Sequence, residues 1–220
     1  TIFFNIWTGV LAPDSSSSFT LPSLIGLSSG KKEIQVLANL STGLDEYDYF
    51  NNSTIIRFSI IKEIASLPFI EDFENGINDT AWIIKNIDLD KTWGIDSTGG
   101  LPWSNQSASI KLFSYAPRNN QKDGLISPKI SLTASNDLFL TFDISYQKRS
   151  ASNFLNDTLK VLISNNCGLS YDYKIYEKYG YDLSTFDTSS YDFLPEYLTH
   201  WRNDTVNLSN FPNEDVMIKF

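Results

Sequence analysis

The sequence predicts an all-β chain built as antiparallel β-sandwiches. Three observations carry this. Apolar and polar residues alternate with period two over many short stretches. Gly, Asn, Asp, Ser and Pro cluster between those stretches, which is turn chemistry. No stretch keeps a helical period for more than a turn or two.

The strands are expected as follows. KEIQVLA puts Ile34, Val36 and Ala38 on one face, and TIIRFSII does the same with Ile56, Phe58 and Ile60. SASIKLFSY aligns Ala108, Ile110 and Leu112. In DLFLTFDISY, Leu138, Leu140, Phe142, Ile144 and Tyr146 oppose Phe139, Thr141, Asp143 and Ser145. In DTLKVLISNNCG, Leu159, Val161 and Ile163 oppose Thr158, Lys160, Leu162 and Ser164, and Asn165 to Gly168 read as a turn. Leu138, Leu140, Phe142, Ile144, Leu159, Val161 and Ile163 should face the core. Many short strands with turns between them pack as two facing sheets.

A boundary falls in ASLPFIEDFE. Pro68 cannot donate a backbone hydrogen bond and tends to begin or end strands. Residues 1–66 form a first block, too short for a sandwich of about seven strands. Residues 67–220 form the second. The start, TIFFNIWTGVLAP, lacks a basic leader and reads as mid-strand, and so does the end, DVMIKF. Both are expected to be cuts within a longer polypeptide.

Of the 220 residues, 41% are hydrophobic and 14% aromatic, enough for a real core. The net charge of −9 argues against nucleic acid and anionic membrane as partners. No run is long enough to span a membrane, so no membrane insertion is expected. A single cysteine, Cys167, excludes an internal disulfide, and Cys167 with the single His200 cannot fill a zinc shell.

The second block resembles the jelly-roll module of secreted Bacteroidota proteins, the MAM-like cleaved-adhesin type found in gingipains. PFIEDFENG, TAWIIKNIDLDKTW, DGLISPKISL, LFLTFDISY, NDTLKVLISNNCG, KYGYDLST, FLPEYLTHWRNDTVNLSNF and VMIKF occur in the family's order. The first block resembles the back part of an immunoglobulin-like repeat, through Trp7-Thr8-Gly9-Val10-Leu11, then Thr42-Gly43-Leu44-Asp45 and Asn51-Asn52. The family continues past the equivalent of Phe220 with a strand carrying an aspartate, so the module is expected to lack its final strand here. The resemblance implies a non-catalytic adhesion or binding module, secreted or at the cell surface, within a larger type IX secreted protein. Glycan or protein is the expected partner. The alternatives are an accessory domain of a secreted protease or glycosidase, and a structural subunit docking secretion or motility proteins.

No motif supplies catalysis. The Gly-x-Ser-x-Gly elbow and His-Glu-x-x-His are absent. A Cys167/His200 dyad is formally available, but nothing in the sequence brings the two together, and Cys167 reads as a small residue ending a strand. Carboxylates are plentiful enough to leave a glycosidase pair open, but isolated acids on a sandwich are usually just solvated. The resemblance implies calcium, since in related jelly rolls a metal ties the first strand's acids to a later acidic loop. Glu71, Asp72 and Glu74 cluster in IEDFE, and Asp88 and Asp90 share a face if extended, so Glu74, Asp88 and Asp90 are the ligands the resemblance implies, whereas the spacing alone reads as a plain acidic edge. Trp82 and Trp93 sit in apolar contexts and should be buried, whereas Trp103, among turn residues, is the expected sugar platform. The resemblance also implies O-linked glycans at Asp-Thr followed by an apolar or small residue, at Thr80, Thr158 and Thr205.

Overall fold

The structure is a computed structural model that describes residues 6, 8–10, 12, 14–18, 20–38, 50, 52–61, 64–100, 104–115, 121–133, 137–149, 156–211 and 214–220. The described chain is almost entirely strand and turn. In order come β1 (Gly30–Leu37), β2 (Ser53–Ile60), β3 (Ile64–Ala65), β4 (Ile83–Asn86), β5 (Gly94–Asp96) and β6 (Ser107–Ser109). Then follow β7 (Asp123–Ile126), β8 (Lys129–Ser131), β9 (Phe139–Ile144), β10 (Gln147–Arg149), β11 (Thr158–Ser164) and β12 (Tyr173–Tyr179). A single turn of helix, α1 (Gly180–Leu183), leads to β13 (Phe186–Ser189), β14 (Arg202–Asn207) and β15 (Asp215–Lys219).

The main sheet runs β12-β11-β15-β7-β4, with β8 also on β15 and β3 parallel to β8. The antiparallel pair β9–β14 faces it. Between them lies the core, where Ile130, Leu132, Leu138, Val161, Ile163, Leu208, Phe211, Val216 and Ile218 are buried and Leu140, Phe142, Ile175, Tyr176 and Phe220 pack on them. Val161 and Ile163 are fully buried, and none of the seven expected core residues is exposed. Phe142 meets Tyr176 and Phe220 edge-on, at 5.2 and 5.6 Å between ring centres, the geometry aromatic pairs prefer.

Two local expectations change. SASIKLFSY is a strand only over Ser107–Ser109, after which Leu112–Ser114 wind into a 3-10 turn closed by the Ser114 hydroxyl on the Lys111 carbonyl. β1 and β2 pair residue by residue from Gly30↔Ile60 to Leu37↔Ser53. Their alternation is present, yet Ile56 is 51% exposed, because among the described residues these two strands form a sheet of their own. β3, just before Pro68, is drawn onto the sandwich by its pairing with β8.

Candidate ligand-binding surface

Two open depressions flank the point where β12 passes into α1 and β13. Gly180 opens the turn with φ +53, and a Cβ there would stand 2.7 Å from Asn156 Oδ1, so glycine is favoured. The Gly180 N–H donates to the Asp157 carbonyl, and buried Leu183 anchors the turn. Tyr179 and Tyr181 on either side of Gly180 stand 56% exposed, and Phe186 is 44% exposed. An open depression of about 600 Å³ is lined by Tyr181, Ser184, Thr185, Phe186, Asp187 and Thr188. On the other side of Tyr181 a smaller one, about 330 Å³, is lined by Asn156, Tyr179, Gly180, Tyr181 and Asp182.

The ledge is held from beneath. Lys148 is fully buried, and its ammonium sits 4.8 Å from the centre of the Tyr181 ring, a cation–π contact that holds the ring in place. The Lys148 backbone N–H donates to the Ser184 hydroxyl. Thr185 donates its own N–H to the Tyr146 carbonyl and its hydroxyl to the His200 carbonyl. Phe186 stacks on Phe193 with 10° between the ring planes and touches His200 at 4.3 Å between centres. Two exposed tyrosines and a braced phenylalanine, flanked by Asp182, Asp187 and Ser184, offer apolar faces to sugar CH groups and polar atoms to hydroxyls.

Sequence reasoning placed no site here. The signal was available in KYGYDLST: aromatic residues on both sides of a glycine, beyond a strand rich in charge, are poorly placed for a core.

Two of the three expected calcium ligands, Glu74 and Asp88, are engaged by protein donors. Glu74 accepts from the backbone N–H groups of Asn105 and Gln106, at 2.6 and 3.1 Å, and from the Ser104 hydroxyl at 3.0 Å. The Gln106 and Asn105 N–H groups hold its carboxyl below the usual range. Asp88 accepts from the Asp90 N–H and the Tyr115 hydroxyl, and these lower its pKa too. Asp90 is exposed. Among the described residues, no three His, Cys, Asp or Glu side chains gather as a metal-binding group. Glu71 turns instead to structure, accepting from the Phe73 N–H and from the indole N–H of Trp82 at 2.8 Å.

Trp82 is 5% exposed and Trp93 is half-buried. Trp103 lies outside the described residues. Thr80, Thr158 and Thr205 are all exposed. Cys167 and His200 sit in different surroundings. His200 sits with Thr185 and Tyr146, whose hydroxyl donates to Asp157 immediately before β11. Cys167 follows the other end of β11, a strand about 20 Å long. His200 is buried in a cage of Phe186, Phe193 and Tyr197, whereas Cys167 is exposed in a left-handed turn with φ +60. They form no dyad.

No helix among the described residues is long and apolar enough to cross a membrane. No protein-family model matches the chain, and no curated protein matches it. Among solved structures it is similar to the K3 cleaved adhesin domain of Lys-gingipain from Porphyromonas gingivalis w83, with a TM-score of 0.42, 20% identity, and coverage of 68% of this chain and 86% of that one.

Proposed function

We propose that this chain is a non-catalytic adhesion module, secreted or displayed at the cell surface as part of a larger type IX secreted protein, and that it binds glycan on the ledge around Tyr181. The observation that supports this most is the ledge itself: exposed Tyr179, Tyr181 and Phe186 on a rigid turn, with an open depression on each side of Tyr181. Aromatic faces beside hydroxyls and carboxylates suit carbohydrate, whose CH groups stack on rings while its hydroxyls bond the polar atoms. The test is a screen of neutral mono- and oligosaccharides against the intact chain and Tyr181→Ala. Binding that Tyr181→Ala abolishes at unchanged melting temperature is expected. Glycan binding that is indifferent to Tyr181, or no glycan binding at all, counts against the reading.

Calcium at Glu74, Asp88 and Asp90 is a separate part of the proposal. The ion would have to share carboxylate oxygens now taken by residues 104–106 and by Tyr115. O-linked glycans at Thr80, Thr158 and Thr205 complete it, supported by the exposure of all three.

A further inference from the structure

The outer face of the main sheet carries three lysines that have no ion-pair partner among the described residues. Ile218 turns into the core, so its neighbour Lys219 turns outward, opposite Ile126 of β7. Lys85 of β4 pairs with Gly124 of β7 and lies on the same face. Lys122 precedes Gly124 by two residues, and period two brings it to that face as well. Gly124 is the floor between them. A Cβ there would stand 3.2 Å from Lys219 Cδ and 3.5 Å from Lys85 Cβ, so the lysine stems close over bare backbone. Lys219 is fixed further by Tyr171, whose ring centre lies 4.2 Å from its ammonium.

The other half of this face is balanced. Leu162 pairs with both Lys219 and Lys174, which puts the β11–β12 lysines on the same side. There, Lys160 and Lys174 both pair with Glu177. Among the described residues, Lys85, Lys122 and Lys219 take part in no ion pair. The nearest acid in sequence, Asp123, alternates to the opposite face, where it accepts from Tyr115. Like charges on neighbouring strands repel. Burial, then Lys85, then Lys122 push the Lys219 pKa down. In a chain of net charge −9, such an unbalanced trio calls for an anion from outside.

We propose that Lys85, Lys122 and Lys219 form a second binding site, for the sulfate or carboxylate groups of an acidic oligosaccharide. β4 and β15 flank β7, so the outer lysines are rooted about 10 Å apart, a span for two or three anionic groups. The chain's overall negative charge repels long nucleic acids and flat anionic membranes, and a short acidic glycan meets the local positive patch with the least of that repulsion. This site does not depend on the Tyr181 ledge.

The experiment titrates the intact chain with a heparin tetrasaccharide, a hyaluronan tetrasaccharide and neutral maltotetraose, at low and physiological salt. At least one acidic tetrasaccharide is expected to bind, more weakly at higher salt, and maltotetraose not to compete for this site. Sulfate is the recognised group if only heparin binds, and carboxylate suffices if hyaluronan binds too. Exposed Lys122→Ala, and Lys85→Ala with Lys219→Ala, should each weaken binding by about tenfold or more, whereas Lys219→Arg and Tyr181→Ala should retain it. Lys174→Ala, on the balanced half, should also retain it. Equal binding by Lys122→Ala at unchanged melting temperature overturns the proposal, and so does failure of both acidic tetrasaccharides to bind the folded chain.

Discussion

The Tyr176 hydroxyl donates to the Asp204 carboxylate at 2.6 Å, and this bond ties β12 of the main sheet to β14 of the facing pair. Asp204 is 8% exposed and also accepts from Lys178 and from two nitrogens of Arg202. Arg202 reaches on to the carbonyls of Leu183 and Ser184. One carboxylate therefore joins the sandwich to the turn that carries the ledge.

Asp204→Ala should destabilise by about 3 kcal/mol, because it strands two cations and a phenol that share one acceptor. Urea denaturation checks this. Burial alone would raise the Asp204 pKa, but Arg202, Tyr176 and Lys178 outweigh it and hold the carboxyl at about 2. The folded value lies below the ordinary one of 3.8, so the contribution is complete above that value and is lost as pH falls toward 2. It amounts to about 2 kcal/mol, and Asp204→Ala should flatten that part of the acid unfolding curve.

Glu71→Ala should cost about 1–2 kcal/mol, since it removes the acceptor of the Trp82 indole and of the Phe73 N–H. Trp82→Ala should cost about 3–5 kcal/mol as a large buried ring is lost. A denaturant midpoint for Glu71→Ala equal to wild type would contradict the brace.

Cys167→Gly should be neutral or stabilising by up to about 1 kcal/mol, because the residue adopts φ +60, where a Cβ is strained. The exposed thiol should react with a disulfide reagent in the folded chain, at a rate that denaturant barely changes. A thiol that reacts only after unfolding would contradict its placement.

If calcium binds at Glu74, Asp88 and Asp90, a hundredfold excess over its dissociation constant stabilises by about 2.7 kcal/mol. Melting with calcium and then with chelator reads this directly. An unchanged melting temperature removes calcium from the account.

Protein from the natural host should carry hexose-bearing peptides at Thr80, Thr158 or Thr205. Peptide mapping that finds all three unmodified removes that part of the proposal.

The sandwich was legible because packing enforces its alternation. Val161 and Ile163 face a full core, and their period survives intact. SASIKLFSY alternates as well, but its small residues have little to bury, so local hydrogen bonds bend it into a turn after Ser109. The polar residues of the site were less legible. Glu74 and Asp88 carry the charge calcium wants, yet backbone N–H groups and a phenol that only the folded chain brings near take their oxygens. The ledge depends on Lys148 beneath Tyr181, a contact across 33 residues that no local pattern encodes. The lysine trio likewise rests on the register of β4, β7 and β15.

The central claim is that the ledge around Tyr181 is where glycan binds. Backbone amide shift mapping tests it most directly, by adding a neutral oligosaccharide that the screen identifies to the isotope-labelled chain. The account predicts perturbations concentrated at Asn156, at Tyr179 through Asp182 and at Ser184 through Thr188, all absent in Tyr181→Ala. Perturbations centred elsewhere on the sandwich, with the ledge unmoved, would contradict it.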